Sequence, residues 1–262
     1  MIYEKLTLNT ERNVSLTCYR LDSSEELQNA IVRPAVLIFP GGGYRMCSDR
    51  EAEPIAMAYL AEGYHAFILR YSIGDDSTWP NPIMDATHAL VLIREHAAHW
   101  GIDPEKIAVI GFSAGGHLAA ALSLLGEERP NATLLGYPVI LEKLAKHLDD
   151  THPGLEGKAD ELTPPAFIFA TANDNVVPIA NALQLAADLD AQGIPFECHI
   201  FQDGAHGLSL AKPHTSRGYK EYAKPDVAEW FGLSVTWLQQ IFGEFPHDET
   251  MPPWRPREEK EE

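Results

Sequence analysis

The sequence predicts an α/β fold, in which a mostly parallel central sheet is flanked by helices on both faces. From residue 31 onward, short apolar runs alternate with longer stretches of helical period, which is typical of buried parallel strands joined by helices. A chain of 262 residues with 45% apolar side chains is also long enough to bury one sizeable core. We therefore expect one domain over residues 1–243 and a charged, proline-rich tail over residues 244–262.

The first predicted elements are two strands that form an antiparallel hairpin before residue 31. Val14, Leu16 and Cys18 alternate with polar residues, which is the period of a strand with one buried face. This alternation predicts a half-exposed edge of the sheet. Six apolar runs, bounded by glycine, proline or polar residues, then predict the remaining strands at residues 35–40, 65–71, 106–112, 133–139, 165–171 and 196–202.

Helices are predicted between these strands. Ser48 and Glu51 have the three-residue spacing of a capping box, which predicts a helix that begins there and ends near Gly63. A second helix is predicted from Pro82 to about Gly101. Its apolar face has the spacing of one side of a helix and consists of Ala86, Ala89, Leu90, Ile93 and Ala97.

Two further helices complete the predicted fold. Pro178 suits a first helical turn and Gly193 suits a helix end. The residues that this helix is predicted to turn inward are Ile179, Leu183, Ala186 and Leu189. The last helix carries an apolar stripe that we interpret as core packing, formed by Val227, Trp230, Phe231, Trp237, Leu238 and Ile241.

The charge balance and the apolar runs exclude two classes of partner. With 20 basic and 38 acidic side chains, the net charge is −18, which opposes attraction to phosphate backbones and anionic lipids. No run approaches the roughly eighteen apolar residues of a membrane span, and no signal-peptide pattern opens the chain. The three cysteines have no metal-ligand spacing. We expect no nucleic-acid partner, no membrane partner and a cytoplasmic location with reduced cysteines.

The clearest chemical signal is a Gly-Phe-Ser-Ala-Gly segment centred on Ser113. It follows an apolar run at residues 107–110 and precedes a helix-forming run at residues 118–125. A tight turn between strand and helix exposes the serine hydroxyl, and glycines on either side remove side chains that would collide. This context favours a nucleophile over a structural turn serine.

A serine nucleophile requires hydrogen-bond donors for the oxyanion that its attack creates. A glycine triplet that begins at Gly41 directly follows a predicted strand, and its backbone amides can approach a negative charge without steric obstruction. We expect Gly42, Gly43 and Ala114 to form the oxyanion hole and Tyr44 to bind substrate. The alternative of a phosphate-binding loop lacks the Gly-Lys-Ser/Thr segment that would complete it.

His206 is the predicted general base. Eleven histidines compete for this role, but His206 lies in a Gly-Ala-His-Gly segment just beyond the last predicted strand, where a loop can reach the serine. His117 is its main rival. Because His117 lies about one helical turn after Ser113, we expect it to pack beneath the turn instead.

Asp174 is the predicted acid that orients the histidine. It follows the strand at residues 165–171, and the resulting order of serine, acid and histidine differs from the orders of the other two large serine-hydrolase architectures. Asp203 is the alternative acid. Asp174 can also cap the helix that begins near Pro178, and the two roles are compatible.

These segments together resemble the α/β-hydrolase superfamily, and within it the branch of acetylxylan and feruloyl-type esterases and hormone-sensitive-lipase relatives. Members of this branch usually have histidine before the glycine triplet, where this chain has Pro40. The resemblance covers about residues 30–243 and implies an α/β-hydrolase fold. It rests on Pro-Gly-Gly-Gly-Tyr at 40–44, Gly-Ile-Asp-Pro at 101–104, Asn-Asp-Asn-Val-Val-Pro at 173–178 and Gly-Ala-His-Gly at 204–207.

The resemblance also locates the usual insertion point of a cap domain, between the strands near residues 139 and 165. Only about 25 residues lie there. We therefore expect no large cap, although residues 141–148 could form a compact lid. This implies an open site for short acyl groups, carried on a bulky or sugar alcohol.

The predicted function is hydrolysis of carboxylic esters of short acyl groups, including acetyl groups on sugars or xylo-oligosaccharides, through an acyl-enzyme on Ser113. Two alternatives stay open: amide hydrolysis on the same triad, as in arylformamidases or peptidases, and a noncatalytic binding module with the same shell. The partner is then a small-molecule or oligosaccharide ester. We expect no metal and no cofactor, and a homodimer is the default assembly.

Overall fold

The computed structural model describes residues 1–247, which contain one sheet of eight strands. The strands are β1 (Ile2–Asn9), β2 (Val14–Arg20), β3 (Arg33–Phe39), β4 (His65–Arg70), β5 (Ile102–Phe112), β6 (Ala132–Gly136), β7 (Ala166–Thr171) and β8 (Phe196–Phe201). Their order across the sheet is β1-β2-β4-β3-β5-β6-β7-β8. The first two strands pair antiparallel and the other six run parallel to one another. The mostly parallel sheet and the amino-terminal hairpin are as predicted.

Helices cover both faces of this sheet. They are α1 (Glu53–Ala61), α2 (Asn81–Glu95), α3 (Ala97–Trp100), α4 (Ala114–Leu125), α5 (Glu142–Leu148), α6 (Ala180–Ala191), α7 (Pro225–Ala228) and α8 (Trp230–Phe242). Successive residues of β5 point to opposite faces, so that Gly111 approaches α4 whereas Phe112 packs against Trp230 of α8. The hydroxyl groups of Tyr59 and Ser234 lie 2.9 Å apart, which places α1 on the same face as α8.

The parallel register determines where the loops that could carry chemistry meet. Parallel strands have their carboxyl ends at the same edge of the sheet, and this edge is where open α/β sheets bind their ligands. The segments that follow β3, β5, β7 and β8 hold the glycine triplet, Ser113, Asp174 and His206 respectively. Four segments that are distant in sequence therefore become neighbours at one edge.

The half-exposed edge of the sheet is β1, and the prediction that assigned it to the alternating residues of β2 is wrong. Val14, Leu16 and Cys18 are fully buried, and the intervening Ser15 and Thr17 are only 6% and 4% exposed. The reason is position, because β2 lies between β1 and β4 and residues on both of its faces are buried. Alternation in sequence therefore does not mark an edge strand here.

The predicted capping box does not form. Residues Asp49–Glu51 make a short 3-10 helix, α1 begins only at Glu53, and the Ser48 side chain makes no capping hydrogen bond. Glu51 is instead 3% exposed and accepts a hydrogen bond from the backbone of the glycine triplet. The local spacing is thus that of a cap, whereas tertiary contacts determine where the glutamate points.

The end of one strand and the buried face of one helix also differ from the prediction. β6 ends at Gly136, three residues early, because Tyr137 has a φ of 38° and turns the chain out of the sheet. Leu183 of α6 is 50% exposed, so the prediction that it points inward is wrong. The buried apolar face of α6 consists of Ala182, Leu185 and Leu189.

The start of the predicted tail packs on the body of the protein. The ring of Phe245 lies against Gly63 and 5.9 Å from the guanidinium carbon of Arg33. The rest of the predicted tail, residues 248–262, lies outside the described residues. Within residues 1–247, no helix combines the length and the apolar composition that crossing a membrane requires.

Candidate active site

The turn that carries Ser113 is tight and strained. Ser113 has φ 55° and ψ −116° between the end of β5 and the start of α4. A residue other than glycine adopts this backbone conformation only when its surroundings impose it. A Cβ atom on Gly111 would collide with the carbonyl of Gly115, and one on Gly115 would collide with that of Phe39. Glycine at both positions lets β3, β5 and α4 approach closely enough to present the hydroxyl.

Ser113, His206 and Asp174 form a continuous hydrogen-bonded relay. The oxygen of Ser113 lies 2.8 Å from His206 Nε2, and His206 Nδ1 lies 2.7 Å from Asp174 Oδ2. Because a carboxylate accepts hydrogen bonds, Nδ1 carries the proton, which leaves Nε2 free to accept the serine proton. The structure brings together the three residues that the sequence predicts as nucleophile, base and acid.

Asp174 is held rigidly on both of its oxygens. Its side chain is 1% exposed, and while Oδ2 faces His206, Oδ1 accepts the backbone amides of Val176 and Val177 at 2.8 and 2.9 Å. Asp174 therefore presents a fixed acceptor to the histidine.

The alternative acid, Asp203, lies outside this relay. It is an exposed residue that forms an ion pair with Lys224 and accepts a hydrogen bond from Asn173 at 2.6 Å. These two partners, the lysine first, lower the pKa of Asp203. Asn173 also accepts the amide of Gly204 at 2.9 Å, so this cluster fastens the loop of His206 without contacting the histidine ring.

The glycine triplet leaves two backbone amides beside the serine. Gly42 and Gly43 have φ values of 134° and 64°, and both line the cleft that contains Ser113. Among residues 1–247, their amides donate to no carbonyl or side chain, whereas the amide of Gly41 donates to Glu51. Ala114 is the first residue of α4, where an amide has no partner within the helix. Gly42 and Gly43 thus share the cleft with Ser113, and Ala114 follows it directly in sequence.

Glu51 is a functional candidate that the sequence analysis missed. Its Oε2 accepts the amide of Gly41 at 2.9 Å, and its Oε1 accepts the hydroxyl of Tyr137 at 2.6 Å. The same hydroxyl accepts the amide of Ser209 at 3.0 Å. One buried carboxylate therefore connects the glycine triplet to the loop that follows His206, and no local spacing in the sequence distinguishes it from a capping residue.

Tyr137 is a second residue that the sequence analysis missed. Its ring packs edge-on against the ring of His206, with the centroids 5.1 Å apart. Burial, together with the neighbouring Glu51 carboxylate, raises the pKa of Tyr137 well above its usual value. The hydroxyl therefore stays protonated and keeps donating to Glu51.

Tyr44 is not positioned to bind substrate, and that prediction is corrected. The residue is 1% exposed, and its hydroxyl donates to His117 Nδ1 at 2.8 Å. Its φ of 58° turns the side chain away from the cleft and into a buried aromatic cluster with Tyr71 and His152. The side chain of Tyr44 is therefore part of the buried core.

His117 packs beneath the serine turn, as the sequence predicts. It is fully buried, and its Nε2 donates to the carbonyl of Pro153 at 2.9 Å, so its Nδ1 is the acceptor for Tyr44. Burial lowers the pKa of His117 to about 4. Neither ring nitrogen is available to Ser113, whereas Nε2 of His206 lies within hydrogen-bond distance of the serine hydroxyl.

The relay opens into a cleft of about 700 Å³. The segment predicted as a compact lid forms α5, and it lines the cleft with Leu144, His147 and Leu148. No group of three histidine, cysteine, aspartate or glutamate side chains within residues 1–247 could hold a metal ion. The hydrogen-bonded pair of Ser113 and His206 thus borders a cleft that is open to solvent.

Two family models match overlapping parts of the chain. The BD-FAE family model matches residues 22–152, half of the chain, and includes the glycine triplet, Glu51 and Ser113. The model of the prolyl oligopeptidase family matches residues 143–232, which include Asp174 and His206.

Individual relatives agree with these matches. MGS-M1, an alpha/beta hydrolase enzyme from a Medee basin deep-sea metagenome library, is 46% identical, with a TM-score of 0.87 over 92% of this chain and 98% of that chain. The acetyl ester-xyloside bifunctional hydrolase from Caldicellulosiruptor lactoaceticus is 31% identical, with a TM-score of 0.76 over 88% of this chain and 89% of that chain.

A third relative is compared by sequence alone. The acetylxylan esterase of Xylanibacter ruminicola is 30% identical over 75% of this chain and 45% of its own length. The chain spans less than half of the length of the curated relatives that it matches first.

Proposed function

Since the chain belongs to the α/β-hydrolase superfamily, among its esterases, we propose that it hydrolyses carboxylic esters of short acyl groups through an acyl-enzyme on Ser113. The observation that carries this proposal is the relay from Ser113 to His206 at 2.8 Å and from His206 to Asp174 at 2.7 Å. A serine hydroxyl is a weak nucleophile at neutral pH, and an adjacent oriented base is what activates it.

In the acylation step, Ser113 attacks the ester carbonyl carbon while His206 Nε2 takes the serine proton. The carbonyl π-electrons move to the oxygen, which becomes an oxyanion. When the tetrahedral intermediate collapses, the bond to the alcohol oxygen breaks, and His206 returns the proton to the departing alcohol. Asp174 stabilises the imidazolium that exists between these two transfers.

In the deacylation step, water replaces the alcohol. His206 accepts a proton from water, the resulting hydroxide equivalent attacks the acyl carbon, and the proton is then delivered to Ser113 as the carboxylic acid is released. The serine ends each cycle in its starting state. No group beyond the chain and water is required for either half of this reaction.

Oxyanion stabilisation is assigned to the amides of Gly42, Gly43 and Ala114. The supporting observation is that the two glycine amides have no acceptor among residues 1–247, although both residues border the cleft with Ser113. Donors that are already fixed when charge develops stabilise the transition state without reorganising, and losing one typically lowers kcat about 10²- to 10³-fold.

Acetyl groups on sugars are the substrates that we propose within this class. Two relatives are described as an acetylxylan esterase and an acetyl ester-xyloside bifunctional hydrolase. The cleft of about 700 Å³ is also roomy enough for a sugar unit and is not covered by a large cap. The partner is accordingly a small-molecule or oligosaccharide ester.

Amide hydrolysis on the same relay is the second candidate. It is favoured by the match of residues 143–232, which carry Asp174 and His206, to the prolyl oligopeptidase family model. The chemistry is the same except that His206 protonates an amine on departure. We rank it below ester hydrolysis because the relatives that match the segment with Ser113 are esterases.

The experiment is hydrolysis of p-nitrophenyl esters from acetate to decanoate by the wild type and by Ser113→Ala, with formyl and aminoacyl amides in parallel. We expect activity on the short esters, lower activity on the amides, and a loss of about 10⁴-fold or more in the variant. Equal ester hydrolysis by both proteins would reject Ser113 as the nucleophile. Cleavage of amides alone would favour the second candidate.

A further inference from the structure

The cleft above Ser113 has two chemically different walls. One wall is largely apolar, with His147 of α5 among its lining residues, and adjoins the glycine triplet. The amide of Val139 lies 3.3 Å from the carbonyl oxygen of Ser113, and Leu148 lies 4.0 Å from where a Cβ on Gly43 would be. Leu144 and Leu148 pack with Val139 and Val177 in a small hydrophobic cluster. This apolar wall borders the nucleophile on the side of α5.

The other wall is polar and is attached to the loop of His206. Arg50 donates from one nitrogen to the carbonyls of Gly207 and Thr215, at 2.7 and 3.1 Å. Its guanidinium carbon lies 5.4 Å from the ring centroid of Tyr222. The exposed side chains of Arg217 and Glu221 continue this wall, so that charged groups follow one another on the histidine side of the cleft.

The charged groups of this polar wall have capacity left for a ligand. Within residues 1–247, neither arginine has a carboxylate oxygen within 4.0 Å, although the chain has 38 acidic and only 20 basic residues. Within the same residues, Glu221 has no basic nitrogen within 4.0 Å either. Arg217 and Glu221 are exposed and border the cleft, so their hydrogen-bonding groups can reach a ligand.

We propose, building on the proposed ester hydrolysis, that the polar wall is the subsite of the leaving alcohol and that it takes a hydroxyl-rich alcohol such as a sugar unit. His206 must protonate the departing oxygen, so the alcohol half of the ester lies on the side of the histidine. The acyl group then lies along the apolar wall of α5. This orientation follows from the chemistry of the relay and from the positions of the two walls.

The mixture of charges identifies the alcohol as a neutral polyhydroxyl group. The guanidinium groups of Arg50 and Arg217 donate to hydroxyl and ring oxygens, and the carboxylate of Glu221 accepts hydroxyl protons. Tyr222 adds an aromatic ring under Arg50. An alcohol that carried a carboxylate would be attracted by the arginines but repelled by Glu221, and an alkyl alcohol would displace water from these groups without replacing its hydrogen bonds.

The test compares two acetates that share an acyl group and differ in the alcohol: n-butyl acetate and a partially acetylated xylo-oligosaccharide. The readout is the ratio of kcat/KM for the sugar acetate to kcat/KM for butyl acetate. Arg217→Ala and Glu221→Ala each remove a charged partner at an exposed position, so folding is not at risk. We expect each to lower this ratio by about tenfold, the worth of one hydrogen bond to a charged group.

Leu144→Ala is the matched control on the opposite wall. We expect it to leave this alcohol ratio unchanged and to shift the preference between acetate and butyrate esters of one alcohol, because it enlarges the acyl side. An unchanged alcohol ratio in both polar variants would overturn the inference. So would a wild type that cleaves butyl acetate but not the sugar acetate, whereas a wild type inactive on all esters would instead contradict the proposed function.

Discussion

The carboxylate of Glu51 accepts the backbone amide of Gly41 at 2.9 Å, directly before the two amides that are proposed to bind the oxyanion. Its other oxygen accepts the hydroxyl of Tyr137 at 2.6 Å. Since that hydroxyl in turn accepts the amide of Ser209, the two sides of the catalytic cleft are fastened to one buried side chain. Within residues 1–247, the Glu51 carboxylate hydrogen-bonds to neither Ser113 nor His206, and we therefore assign it a positioning role.

Glu51→Gln tests this positioning role. The amide oxygen can still accept from Gly41, but the amide nitrogen can only donate to Tyr137, so the hydroxyl proton of Tyr137 loses its acceptor. Small displacements of groups that act in the transition state cost more in kcat than in substrate binding. We expect kcat to fall about 10- to 100-fold with little change in KM.

Tyr137→Phe is the complementary variant to Glu51→Gln, because it removes the same hydrogen bond from the other partner and also removes the acceptor of the Ser209 amide. Both variants are expected to lower kcat, and the double variant to lower it no further than Tyr137→Phe alone. Measuring the unfolding temperature alongside separates the two roles. A lower unfolding temperature with normal kcat would make Glu51 purely structural.

Asp174→Asn is predicted to reduce kcat about 10⁴-fold, because the amide cannot hold His206 in the tautomer that accepts the serine proton. Asp203→Asn is the matched control, since Asp203 precedes the same histidine loop but binds Lys224 and Asn173 instead. We expect the control to retain kcat within about twofold. Steady-state kinetics on p-nitrophenyl acetate measure both, and a reversed order would make Asp203 the functional acid.

The proximity of the relay residues was predictable from the sequence because the apolar runs predict the parallel strands that these residues follow. Ser113, Asp174 and His206 each follow an apolar run, and parallel strands have their carboxyl ends at one edge of the sheet. Knowing the order of runs is therefore enough to bring the three loops together. The mostly parallel sheet was predictable on the same grounds, because buried strands have a recognisable composition.

The sequence analysis missed residues whose side-chain direction depends on the backbone conformation of a loop. Tyr44 and Tyr137 have φ values of 58° and 38°, conformations that side chains rarely adopt and that no spacing in the sequence reveals. Glu51 has the local pattern of a helix cap and is turned inward by contacts with distant residues. The burial of β2 was missed for a related reason, since it depends on which strand lies beside it.

Tyr44→Phe is predicted to lower stability without changing KM. The substitution keeps the ring in its buried cluster but leaves Nδ1 of His117 without a donor, and an unsatisfied buried acceptor costs about 1–3 kcal/mol of unfolding free energy. Urea unfolding and steady-state kinetics measure the two effects separately. A KM that rises while stability is unchanged would restore Tyr44 as a substrate-binding residue.

Stability is predicted to fall as the pH drops from 7 to 5, with His117 as one identifiable cause. Burial lowers the pKa of His117 from 6.5 to about 4, so between these values the unfolded chain binds a proton that the folded chain does not. The contribution of this group to stability is therefore fully present above pH 6.5 and is lost as the pH falls towards 4. Between pH 7 and pH 5, this one histidine accounts for about 2 kcal/mol of unfolding free energy.

His117→Gln checks the assignment by urea unfolding at pH 7 and pH 5. Glutamine can keep hydrogen bonds to Tyr44 and Pro153 but does not titrate, so the variant is expected to be less stable at pH 7 and to lose less stability between the two pH values. His65 and His152 also have lowered pKa values because of burial, so part of the pH dependence will persist. A slope identical to that of the wild type would mean that His117 is protonated in the folded protein at pH 5, with its ring released from Tyr44.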